Sequence, residues 1–217
     1  MPASTRRAPI VCLEGPSAVG KTTLAAALAQ WAGAAVIPEL DASAAPPIAQ
    51  SAAWFVEVHA AEWRRARELA RTAPLVVMDG DPFKGLSFNW VFAEHGWPGI
   101  GVQAPLHRAH VEAGTLAFPD LYVVLLATEA QLRARRAADP TRTRRNHEMH
   151  LRLVDPQRRY FEALRAADPS RVLLIDTTAR DTLVDTVLAA VHALPPDPPD
   201  SLRLLDHMVD WVATHDP

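Results

Sequence analysis

The sequence predicts an α/β fold, one domain built on a five-stranded parallel sheet with helices on both faces. Three observations predict it. Five short apolar runs, Pro9–Leu13, Ala35–Ile37, Leu75–Met78, Leu121–Leu126 and Val172–Ile175, alternate with longer stretches of helical character, the pattern of successive βαβ units. The first run passes through a glycine-bounded loop into Thr23-Leu24-Ala25-Ala26-Ala27-Leu28-Ala29, which is made of strong helix formers. Finally, 217 residues of which 49% are hydrophobic suit a single domain with a sizeable core.

The loop comes first. Gly15-Pro16-Ser17-Ala18-Val19-Gly20-Lys21-Thr22 fits the phosphate-cradling pattern G-x-x-x-x-G-K-[ST] at every fixed position. Gly15 and Gly20 supply backbone angles closed to other residues, so the N–H groups of Ser17, Ala18, Val19 and their neighbours can turn inward. The helix that follows adds its orphan N–H groups and the positive end of its dipole, Thr23 included. In such a loop Lys21 reaches the β- and γ-phosphates of ATP and the Thr22 hydroxyl ligates Mg²⁺. Cys12 is the one cysteine; lying inside the first strand, it reads as a small core residue.

Right-handed crossovers place ligands at the carboxyl ends of the strands. The residues just past those ends are Glu14 with the loop, Glu39, Asp79 with Asp81, Thr128 and Asp176. Glu39, in Val36-Ile37-Pro38-Glu39, reads equally well as a surface glutamate and as a carboxylate that accepts the proton of an attacking hydroxyl. Leu75-Val76-Val77-Met78-Asp79 is an apolar strand ending in an acid, which suits Asp79 to hold Mg²⁺ directly or through water. Asp81 is the other candidate for positioning and deprotonating an acceptor.

Residues 51–71 read as one helix with Trp54, Phe55, Val58 and Trp63 as apolar members; Trp54 and Phe55 could stack on a planar substrate or pack in the core equally well. Residues 83–107 mix five aromatic residues with glycines and prolines and read as an irregular segment. The acceptor pocket is expected between these two stretches.

Only two lysines, Lys21 and Lys84, stand against twenty arginines, and ten of those arginines fall between Arg133 and Arg165. Guanidinium forks neutralise charge on transferring phosphoryl oxygens with directional bonds, so a lid is expected at about 133–147, with Arg133, Arg136, Arg142, Arg144 and Arg145 as its candidates. Part of this set reads equally well as a solvated helix and loop. The pairs His107/His110 and His147/His150 lack the Cys or carboxylate cluster of a zinc set.

Residues 1–8 read as a flexible start and 9–194 as the domain. In 195–217, the stiff Pro195-Pro196-Asp197-Pro198-Pro199-Asp200 hinge precedes a helix, Leu202 to Val212, that packs on the domain or on a partner chain, which allows a homodimer. The net charge of −3 gives no global pull toward nucleic acid or anionic membranes. No run approaches the ~18 apolar residues of a membrane span, and the start does not read as a secretory signal. The expected compartment is the cytoplasm.

With loop, second-strand glutamate, third-strand aspartate and arginine segment in this order, the chain resembles the nucleoside and nucleotide kinase group of P-loop NTPases, most closely the deoxynucleoside kinase and thymidylate kinase branch. The resemblance runs from about Pro9 to Thr178. It implies a base role for Glu39, an acceptor pocket lined by the aromatic helix Trp54 to Arg65, and a lid at Arg133 to Arg145. One departure stands out: Asp79-Gly80-Asp81-Pro82-Phe83-Lys84 places a glycine where the family carries its acceptor-positioning arginine, and Lys84 is the candidate replacement for that charge. Small-molecule phosphotransferases that inactivate antibiotics, such as the chloramphenicol-modifying enzyme, are similar at this level. The resemblance implies transfer of the γ-phosphoryl of ATP to a hydroxyl or phosphate of a small acceptor, first a nucleoside- or nucleotide-like compound and second an antibiotic or natural-product hydroxyl. A nucleotide-binding accessory ATPase without an acceptor is the alternative of a different class.

Overall fold

A computed structural model of the chain describes residues 7–40, 45–47, 51–138, 147–178 and 182–217. Its centre is a sheet of five strands, β1 (Ile10–Glu14), β2 (Ala35–Ile37), β3 (Val76–Met78), β4 (Leu121–Leu126) and β5 (Val172–Asp176), in the order β2-β3-β1-β4-β5. Every pairing is parallel, with Val11 opposite both Val77 and Leu121. A parallel sheet is covered on both faces, so its central strands are mostly apolar; all five residues of β1 are buried, the terminal Glu14 among them.

The period of two in each strand divides the core. Ile10, Cys12, Val76, Met78, Tyr122 and Val124 face one layer, and Val11, Leu13, Val77, Val123 and Leu125 face the other. Helices α1 (Lys21–Ala32), α5 (Glu129–Ala137) and α8 (Leu183–His192) cover the second face through Leu24, Leu28, Leu132 and Val187. The first face is covered by α2 (Ser51–Leu69), α3 (Lys84–Val91), α4 (Ile100–Glu112), α7 (Val154–Ala167) and α9 (Ser201–Thr214), which bring in Trp63, Trp90, Val111, Phe161 and Leu205. A short helix, α6 (His147–Leu151), precedes α7.

Residues 83–107 depart from expectation. The segment is not irregular but forms α3 and most of α4, joined by a single turn of 3₁₀ helix at Ala93–His95. Its glycines and prolines serve this arrangement rather than breaking it. A Cβ on Gly85 would lie 2.7 Å from Gln103 Oε1, so the glycine permits α3 and α4 to pack closely. Gly96, at φ 72°, terminates the 3₁₀ turn. Pro105 lies inside α4 at the loss of one helical hydrogen bond, while the helix is held by its packing on α2, α3 and α9.

Both ends of the described chain are tied down. The Arg7 guanidinium forks onto the Asp120 carboxylate, and the Ala8 amide donates to Ala70 O, so these two residues are anchored; residues 1–6 of the expected flexible start lie outside the described residues. Helix α9, capped by Asp200, packs on the same chain against α3, α4 and α7. Trp90 Nε1 donates to His215 O at 2.7 Å, and the Trp90 and Trp211 rings meet edge to face.

Candidate active site

The loop between β1 and α1 wraps as its residue types require. Gly15 and Gly20 have φ of 135° and 118°, and Ala18 also takes a positive φ. Gly15 has a second reason to lack a side chain, since a Cβ there would lie 2.5 Å from Leu125 O of the neighbouring strand. Gly20 caps α1 without a side chain, and no acid stands in the first turn. The N–H groups and dipole of this helix start are therefore directed at whatever lies in the loop.

Lys21 folds back across the loop, its Nζ donating to Gly15 O at 2.8 Å. The Thr22 hydroxyl donates to Asp79 Oδ2 at 2.9 Å, and Asp79 is fixed at the end of β3 by its own amide, which bonds Ile37 O. Asp79 Oδ1 is buried without a partner. Burial raises the Asp79 carboxyl above its ordinary range, partly offset by the Lys21 charge and the Thr22 hydroxyl. A hydroxyl and a carboxylate with a spare buried oxygen form a hard-oxygen donor set, which fits Mg²⁺.

Two cavities meet here. The first, of about 900 Å³, is lined by Pro16 to Leu24 and closed by Ala134, Arg135, Thr177 and Val184. The second, of about 580 Å³, lies between α2 and the α3–α4 segment, where the acceptor pocket was expected. Phe55, Lys84, Phe88, Trp97, Gln103 and Met149 are among its walls, and Asp79 stands at its floor. Glu39 and His150 line both cavities.

Glu39 is half exposed and faces Lys84, with Nζ to Oε1 at 3.3 Å. Burial alone would raise its carboxyl, but the charges of Lys84 and Lys21 outweigh this and hold it below the usual glutamate range. Desolvation works against the Lys84 charge in turn, yet Glu14 and Glu39 keep its pKa above that of a free lysine. This lysine is therefore a fixed positive charge beside Glu39.

Other candidates sit elsewhere. Asp81 is 1% exposed and lines neither cavity; its Oδ1 accepts from the Phe83 amide and the Tyr122 hydroxyl, and burial with the nearby Glu14 pushes its pKa up to about 7. Phe55 lines the second cavity, whereas Trp54 does not and packs edge to face on Phe55. Arg133 is bound to Glu129 and Glu148 at 2.7 and 2.9 Å, and Arg136 to Glu148 at 3.2 Å, so both forks are turned to surface acids and line neither cavity. Arg142, Arg144 and Arg145 lie outside the described residues.

The arginine that meets the phosphate loop is Arg135. Its guanidinium donates to Val19 O at 3.1 Å and to Thr177 Oγ1 and O at 2.8 and 3.1 Å, joining the loop to the end of β5. A readable signal did distinguish it from Arg133: Glu129 stands four residues before Arg133, the spacing of a surface helix pair. Gln103 and His150 also enter the site unannounced. They are brought in by α4 and α6, and no local pattern marks them.

No family model and no curated protein sequence matches the chain. Solved structures do resemble it. A thymidylate kinase from Candida albicans is 14% identical with a TM-score of 0.54, the match covering 86% of this chain and 92% of that one. A deoxyadenosine kinase from M. mycoides, solved with dATP bound, is 10% identical with a TM-score of 0.61, covering 85% of this chain and 99% of that one. A NadR protein solved in complex with NR is 16% identical with a TM-score of 0.50, covering 91% of this chain but 54% of that one. Among the described residues no helix is long and apolar enough to cross a membrane. Parallel sheet, glycine loop and structural neighbours agree: the chain has the α/β P-loop fold of the nucleoside and nucleotide kinases.

Proposed function

We propose that the chain is an ATP-dependent phosphotransferase that moves the γ-phosphoryl group to a hydroxyl of a small, nucleoside-like acceptor in the cytoplasm. The observation that carries this reading is the junction of the two cavities. A loop suited to phosphates opens on one side, a smaller, apolar and aromatic cavity on the other, and Glu39 borders both.

Each residue's part follows from its chemistry. Lys21 and the loop amides hold the donor phosphates, and Arg135 closes the nucleotide side. Thr22 and Asp79 would hold Mg²⁺, which when bound neutralises phosphate charge. Glu39, kept ionised by Lys84, takes the proton of the acceptor hydroxyl as it attacks phosphorus. Asp81 is held away from this point by Tyr122 and the Phe83 amide, which leaves the base role to Glu39. The walls between α2 and α3–α4 exclude the water that would otherwise compete as acceptor.

A second reading, an antibiotic or natural-product hydroxyl as acceptor, is favoured by one observation. Gly80 leaves the second cavity without an arginine at the end of β3, and Lys84 there is engaged with Glu39. Coupled ADP release with Mg·ATP, measured with nucleosides, nucleoside monophosphates and hydroxylated antibiotics, tests both readings. Stimulation by nucleosides supports the first, and stimulation by antibiotics alone replaces it with the second. ATP turnover that no acceptor stimulates overturns both in favour of an accessory ATPase.

A further inference from the structure

Glu14 ends β1 and is 2% exposed, yet its carboxylate accepts three hydrogen bonds. The Gly15 amide donates to Oε2 at 3.2 Å, the Asp81 amide to Oε1 at 2.7 Å, and Gln157 Nε2 to Oε2 at 2.7 Å. Burying a carboxylate is costly unless its oxygens are met by donors, and an apolar residue would complete the strand without that cost. The carboxylate is useful because both of its oxygens accept, so one side chain can bind several donors from different directions.

The three donors belong to three parts of the site. Gly15 begins the phosphate loop, and its own carbonyl receives Lys21 Nζ. The Asp81 amide belongs to the turn after β3 that carries Asp79, the partner of Thr22. Gln157 is on α7, the helix that follows α6 and its cavity-lining His150. Neither Glu14 nor Gln157 lines either of the two cavities. We infer that Glu14 and Gln157 are positioning residues of the phosphate loop, which lock Gly15, the Asp79–Asp81 turn and α7 into one arrangement. This inference rests on the reading of the loop as an ATP site.

Mg·ATP titration calorimetry and thermal melting of the full chain test it, using Glu14→Gln, Gln157→Met and, as a control remote from the loop, Trp90→Phe. Glutamine at position 14 offers one acceptor oxygen and sets an NH₂ against backbone donors. Glu14→Gln should weaken Mg·ATP binding by about tenfold or more, the scale of a lost charged hydrogen bond. Gln157→Met should weaken it less, by about threefold, since it removes one donor and leaves the carboxylate in place. Trp90→Phe should lower the melting temperature and leave binding unchanged. Lower melting in all three variants with wild-type affinity in each would overturn the inference, because the network would then serve stability alone. If Glu14→Gln does not fold, Gln157→Met decides in the same way. Absence of Mg·ATP binding by the wild-type chain would instead overturn the ATP-site reading itself.

Discussion

The two cavities that share Glu39 are built differently. Half of the residues lining the first belong to one unbroken stretch, Pro16 to Leu24, which is the glycine loop and the start of α1. The second is assembled from side chains on β2, α2, the β3 turn, α3, α4 and α6. A site made of backbone depends on a few residue types, glycine for the turn angles and a lysine and hydroxyl at the helix start. A site made of side chains depends on how several helices dock, so its shape changes with any of them. The donor side of such a molecule is expected to be chemically fixed and the acceptor side to carry the specificity.

The largest break of this comparison comes from the donor side. Lys21→Ala removes the ammonium that lies across the loop and its hydrogen bond to Gly15 O. Turnover should fall by about a hundredfold or more, as when other preorganised charge stabilisation is removed, while the melting temperature changes little. Unchanged turnover in a steady-state assay would remove the loop from the chemistry.

At the shared boundary the expected loss is of a different kind. Glu39→Gln should lower kcat by about 10²–10⁴, the range for a general base, with Mg·ATP affinity close to wild type. The Lys84 and Lys21 charges hold Glu39 below its ordinary range despite its burial. The wild-type acid limb should accordingly lie below the usual glutamate value of about 4.3. Lys84→Met removes one of these charges, so Glu39 should take up its proton at higher pH and the acid limb of kcat/KM, which reports the free enzyme, should move upward. An acid limb that stays in place would show that Glu39 is not the group being titrated.

The same contrast explains what could be read from the amino acids. All five strands are marked by apolar runs, and the glycine loop by its spacing, because both are local. Asp79 was marked by its place at a strand's end. The α3–α4 segment was not: Gly85, Gly99, Gly101 and Pro105 read as breakers, and only the docking of Gly85 against Gln103 reveals why a glycine suits a helix there. Gln103 and His150 reach the site through tertiary packing, and Arg135 is separated from Arg133 only by the glutamate four residues before the latter. Asp81 illustrates the converse, since it follows a strand end yet its side chain is bound inward by Tyr122.

The smallest expected effect separates two neighbouring arginines of α5. Arg135 bridges Val19 O and Thr177 on the wall of the first cavity. Its removal unties the loop from the end of β5 and takes a positive charge from beside the donor. Arg135→Ala should weaken Mg·ATP binding by roughly tenfold, equivalent to about 1.4 kcal/mol, with a smaller change in kcat. Arg133 is exposed and paired with Glu129 and Glu148. Ion pairs of that kind contribute little, so Arg133→Ala should leave both constants within about twofold of wild type. Titration calorimetry on the two variants checks the ranking directly. A reversed order would mean that Arg133 releases its acids and turns inward when the donor binds, and that the lid, rather than the wall, supplies the arginine.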